Sequence, residues 1–226
     1  MRPLTCVVRA LAATVLVAAF AAGAAPLKVL RVPFNIAETN FDPAFASDTY
    51  SNTVIDEIFE PPLTYDMLAR PYKLKPQTAE AMPEIAEGGR IYTIRLRKGI
   101  YFADDPAFGG KRRELEAKDY EYAIKRLIDP KIASPNAWLV EGRIDGIDDA
   151  AAAAKKAGHL DYDAPIRGIE MPDRHTLRIR LAKPDYNFLY ILAMGSLGAQ
   201  AREVVERYGT DIGAHPVGTG AFVLAE

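Results

Sequence analysis

Residues 41–66 read FDPAFASDTYSNTVIDEIFEPPLTYD, and their interpretation decides the fold. Asp42-Pro43 is a turn signal, because proline presets φ and the Asp side chain can bond the backbone two residues on. Ser47-Asp48-Thr49 continues the polar stretch, so residues 35–50 read as a loop. Ser51 is a candidate N-cap for a helix over residues 52–60, with Val54, Ile55, Ile58 and Phe59 on one face. Pro61-Pro62 ends that helix, since proline cannot continue the hydrogen-bond ladder.

Upstream, residues 27–34 (LKVLRVPF) read as a buried strand. Residues 1–25 are of another kind. Arg2 and Arg9 precede an apolar run from residue 11 to 20, and small residues follow. This is the three-part pattern of a secretory signal peptide. The run is shorter than the roughly 20 residues of a spanning helix. A cut after Ala24 is expected, with Ala22 and Ala24 as the small pair. The single cysteine, Cys6, lies in this segment and precedes the apolar run, so it is badly placed as a lipid-anchored first residue. The processed chain then has no thiol nucleophile and no disulfide. Removing Arg2 and Arg9 leaves 26 Lys and Arg against 30 Asp and Glu, a net charge of −4, which excludes a basic nucleic-acid footprint.

Downstream, residues 91–97 (IYTIRLR) alternate, with Tyr92, Ile94 and Leu96 on one face, as a half-buried strand requires. Residues 100–102 read as a further short strand, and 103–116 as a loop. Residues 117–128 carry Tyr120, Ala123, Ile124, Leu127 and Ile128 at helical spacing. Residues 148–157 form an alanine-rich helix with acids first and lysines last, followed by Gly158 as C-cap. Residues 166–170 and 176–181 make a hairpin. Residues 186–194 and 201–208 are helices, and 217–224 (VGTGAFVL) a strand opened by glycine. The class is mixed α/β.

The common catalytic constellations are absent from the sequence. Gly110-Lys111 lacks the rest of a phosphate loop, and Gly218-Thr219-Gly220 gives only GxG. Gly195-Ser196-Leu197-Gly198 fails the nucleophile-elbow spacing, because Met194 holds the position of the first glycine. His159, His175 and His215 are far apart and lie outside metalloprotease spacing. Lys111-Arg112-Arg113 is the only basic cluster and reads as a solvated loop.

The ordered set of segments resembles the periplasmic solute-binding proteins of peptide-type ABC transporters, the dipeptide/oligopeptide family. The segments are residues 41–66, LKPQTAEAMPE (74–84), IYTIRLRKGIYFAD (91–104), RLIDP (126–130), ASPNAW (133–138), RIDGID (143–148), DRHTLRIRLAKPDYNFLYILA (173–193) and HPVGTGAF (215–222). There are departures. Glu60-Pro61-Pro62-Leu63 stands where the family has Glu-Gly-Leu after an acidic or aromatic residue. Glu116 replaces a capping Thr, and PAFGGKRR (106–113) looks like an insertion.

The resemblance implies a periplasmic-binding-protein-like lobe I with an inserted α+β domain, and a second lobe lying beyond Glu226. The implied division is 1–24 signal peptide, 25–60 first part of lobe I, 61–165 inserted domain, and 166–226 return to lobe I. It implies a monomeric periplasmic protein without cofactor or lipid anchor. That protein would not be an enzyme and would not bind nucleic acid. It would capture short peptides and hand them to the membrane permease subunits of an ABC importer. Ser47, Asp48, Thr49 and Tyr50 would line the cleft and pair with the ligand main chain as an added strand does. Trp138 would give a flat apolar wall, or else be a core residue, and Asn35 is a further candidate. Nickel, haem or a sugar as ligand remains an alternative within the family, and a secreted hydrolase or an adhesion module outside it.

Overall fold

The computed structural model describes residues 28–225, in two units that divide after Asn35. The signal-peptide reading falls on residues outside the described ones. In the first unit, residues 28–35 form no helix or strand and are exposed, Leu30 to 86%. The strand expected over 27–34 is therefore corrected. A strand exists by sharing ladder bonds, and no described strand pairs with this segment.

The second unit begins with α1 (Thr49–Ile58), then β1 (Leu63–Asp66) and β2 (Lys73–Pro76), an antiparallel hairpin. Next come β3 (Glu84–Ala86), β4 (Ile91–Arg95), α2 (Ala117–Arg126) and α3 (Ile147–Ala157). The chain finishes with β5 (Ile169–Asp173), β6 (Thr176–Arg180), the single turn α4 (Phe188–Ile191) and α5 (Arg202–Tyr208). Strands β3-β4-β6-β5 form one antiparallel sheet, so strands from both sides of residue 165 share it.

The alternation in the sequence places the sheet's inner face. Tyr92, Ile94, Leu177, Ile179 and Leu181 are completely buried, and β4 pairs Tyr92 with Ile179 and Ile94 with Leu177. The outer face carries ion pairs, Arg178 with Glu170 of the neighbouring strand at 3.3 Å and Arg180 with Glu87 in the turn after β3 at 2.8 Å. Helix α2 packs Tyr120, Ile124 and Leu127 into the same core. Its start is held reciprocally, with the Asp119 carboxylate accepting the Glu116 N–H at 2.8 Å. Glu116 thus serves as the N-cap residue of α2.

Local differences from the sequence reading have identifiable causes. Helix α1 begins three residues early, because the Asp48 carboxylate, and not Ser51, accepts from the first turn, at 2.8 Å from the Ser51 N–H. Residues 100–102 make only a one-residue bridge from Tyr101 to Glu114. Residues 217–224 form no strand. Their polar backbone bonds a loop and the end of α1 instead, Ala103 N–H to the Gly218 carbonyl at 2.9 Å and Gly220 N–H to the Ile58 carbonyl at 2.8 Å. A Cβ on Gly218 would sit 2.0 Å from that Ile58 oxygen, so only glycine fits there. Arg113 is not a solvated loop residue. Its fork holds Asp119 at 2.6 Å and Glu203 at 3.0 Å, with 12% of the side chain exposed.

Candidate functional site

The segment between Phe41 and Asp48 has no regular structure, so its shape depends on what its polar groups find. The Asp42 carbonyl accepts from the Phe45 and Ala46 N–H groups at 3.0 and 2.9 Å, closing a tight turn around Pro43. Its carboxylate is buried and gripped by the Arg126 guanidinium at the end of α2, in two parallel bonds of 2.6 and 2.8 Å. That bidentate geometry fixes direction as well as distance. Gln200, also buried, accepts a further bond from Arg126.

A second clamp comes from the loop before residue 140. The Ser134 hydroxyl donates to the Ala44 carbonyl, and the buried Asn136 amide donates to the Ala46 carbonyl at 2.8 Å. Two residues on, the 3-10 turn Ala137–Leu139 buries Leu139 and turns Trp138 outward, 55% exposed. Trp138 is therefore not a core residue. The structure brings the 42–48 loop and the Trp138 turn together through Asn136, across 90 residues of sequence.

Ser47 is exposed at the end of this loop. Asp48 caps α1, and its carboxyl is held well below the ordinary carboxylate value of 3.8 by the Ser51 hydroxyl and N–H and by the Thr39 hydroxyl, 2.5 Å away. Thr49 and Tyr50 are the first turn of α1. The loop reading holds for Ser47 and Asp48 and is corrected for Thr49 and Tyr50, which are helical, so any ladder this stretch offers an extended peptide is confined to backbone before the cap. Asn35 lies at the end of the other unit, exposed and in a bend.

Beneath the loop, Ala46, Ile55, Ile58 and Phe59 form a small apolar cluster separate from the main core. Arg126, Ser134, Asn136 and Gln200 are positioning residues that sequence reasoning passed over. The only sequence signal for the first three was membership of RLIDP and ASPNAW, and Gln200 lies in none of the family-like segments. Among the described residues, no group of three or more His, Cys, Asp and Glu side chains could hold a metal ion. No described helix is long and apolar enough to cross a membrane.

A mixed α/β unit that fixes a polar loop and an exposed indole side by side has the make-up of a binding protein. The chain belongs to the bacterial extracellular solute-binding proteins, family 5: residues 73–226 match the profile of that family's Middle region. It is similar to the glutathione-binding protein GsiB of Salmonella choleraesuis (strain SC-B67), 30% identical over 211 residues, which are 92% of this chain and 34% of that protein. Among solved structures it is similar to Haemophilus influenzae OppA in complex with RPPGFSPFR (TM-score 0.67, 26% identity, 83% of this chain and 34% of the other). It is also similar to the Escherichia coli murein tripeptide binding protein MppA (TM-score 0.65, 27% identity, 84% and 35%). The chain thus spans about a third of the length of the proteins it matches.

Proposed function

We propose that this chain is part of the extracytoplasmic solute-binding subunit of an ABC importer, capturing short peptides and delivering them to the membrane permease. Export by the signal peptide of residues 1–24 puts it in the periplasm, as a monomer without cofactor. Glutathione, a small peptide-like solute, falls within the ligand class. The observation that carries this reading is the exposed Trp138 set beside a loop whose backbone is fixed from both sides. An indole held in the open is a ready platform for an apolar side chain, and a loop fixed before binding loses little entropy on binding. Ser47 and the backbone ahead of Asp48 supply polar contacts.

Trp138 is the only tryptophan in these 226 residues, and the difference in emission between wild type and Trp138→Ala isolates its signal. The protein encoded by the complete gene is titrated with glutathione and with a pool of di- to pentapeptides, by calorimetry and by tryptophan emission. Saturable binding with a shift in emission is expected, and Trp138→Ala should weaken it about tenfold or more. Saturable hydrolysis of peptides or esters, or binding with no change at Trp138, would refute the reading.

A further inference from the structure

The β1–β2 hairpin ends in a tip that neither the fold nor the proposed site uses. Met67, Leu68 and Tyr72 are 76%, 92% and 70% exposed, three large apolar side chains on one six-residue connection. Leaving such a group in water is costly, and a cluster of them marks a contact surface. The tip and the strand leaving it are basic. Arg70, Lys73 and Lys75 are exposed against the single acid Asp66, a local charge of +3 − 1 = +2 on a chain whose formal charge is −2.

The tip is built, not slack. The Asp66 carboxylate accepts the Leu68 N–H at 3.1 Å, and its carbonyl accepts the Ala69 N–H at 3.2 Å. Arg70 folds back and donates to the Met67 and Ala69 carbonyls at 3.1 and 2.8 Å, with its guanidinium 5.2 Å from the Tyr72 ring centre. The Leu68 and Ala69 N–H groups and the Met67 and Ala69 carbonyls are thereby bonded within the turn, which lowers the cost of taking its apolar side chains out of water.

We infer that this hairpin tip docks on the surface of an anionic phospholipid bilayer. Met67 and Leu68 would enter the acyl boundary, Tyr72 would sit at headgroup level, and Lys73 and Lys75 would face the phosphates. An exposed apolar group beside basic residues is the pairing that peripheral membrane binding uses. A second copy of the chain is a poor occupant, because tip-to-tip contact would bring two basic strands together. The inference stands independently of the peptide reading.

The test is flotation with vesicles of phosphatidylglycerol and phosphatidylethanolamine, against vesicles of phosphatidylcholine alone. Wild type, Met67→Ser/Leu68→Ser and Lys73→Gln/Lys75→Gln are compared in the same processed form, so any contribution from residues 1–24 is common to all. Binding of wild type to the anionic vesicles is expected, weakening as salt rises, with each double variant about tenfold poorer. Unchanged thermal melts of both variants show that the fold is intact. Equal binding by all three proteins, equal binding to both vesicle types, or no vesicle binding at all would overturn the proposal. The last outcome combined with a tip-dependent dimer in sedimentation would assign the tip to a second copy instead.

Discussion

The four-stranded sheet and the 42–59 segment are held together by different physics. The sheet is an apolar layer. Tyr92, Ile94, Leu177, Ile179 and Leu181 alternate inward and meet α2, and the ion pairs on the other face are exposed. Exposed pairs of this kind contribute little. The 42–59 segment has a separate cluster of only four buried apolar residues and relies on a buried ion pair, an amide and a helix cap. Non-directional packing tolerates local change because neighbours can relax. Directional polar anchoring fails when one partner is removed, because the other is left buried and unpaired.

The largest expected effect tests the polar side. Arg126→Ala leaves Asp42 buried without its partner and should cost about 3–5 kcal/mol in urea unfolding. Asp42→Leu with Arg126→Met removes both charges and should recover most of that loss. If the double variant is as unstable as the single, the anchor matters for more than charge pairing. On the apolar side, Ile94→Ala should cost about 2–5 kcal/mol, with protection lost across the whole sheet in hydrogen exchange. An equal loss extending over the 42–59 segment would mean that the two regions are one cooperative unit.

Asn136→Ala strips the Ala46 carbonyl of its donor and should cost about 1–3 kcal/mol. Faster exchange is expected at residues 42–48, with the sheet unaffected. The smallest effect is that of pH. The folded-state pKa of Asp48 is depressed by Ser51 and Thr39. Its stabilisation is therefore present above the ordinary carboxylate value and is lost as pH falls below it. Acid melts followed by circular dichroism should show wild type losing this increment below about pH 4, while Asp48→Asn shows a flatter acid limb.

The two regions also differ in how far they can be read from sequence. Sheet and α2 follow from periods of two and 3.6, which are local properties of the chain. Tyr92, Ile94 and Leu96, and Tyr120, Ala123, Ile124, Leu127 and Ile128, are buried as that spacing requires, while Lys125 and Arg126 of α2 are buried against it, by polar partners. The strands expected over 27–34 and 217–224 had apolar composition too, but composition supplies no ladder partner. The cap of α1 was misplaced because Ser51 and Asp48 both suit an N-cap, and Thr39, nine residues upstream, helps hold Asp48 in place.

The candidate site was legible as residue names and not as an arrangement. Trp138 could be named from sequence, but whether it faced core or solvent depended on burial of Leu139 and Asn136 around it. Sequence by itself determined the mixed α/β class, the inward faces of the sheet and of α2, and the family to which the chain belongs. Those depend on periodicity and on the order of segments along the chain. Tertiary structure alone decided how the 42–48 loop is fixed and that Trp138 stands beside it. The bonds responsible join residues 84 to 90 apart, from Arg126 to Asp42 and from Asn136 to Ala46, and no local pattern encodes a contact at that distance.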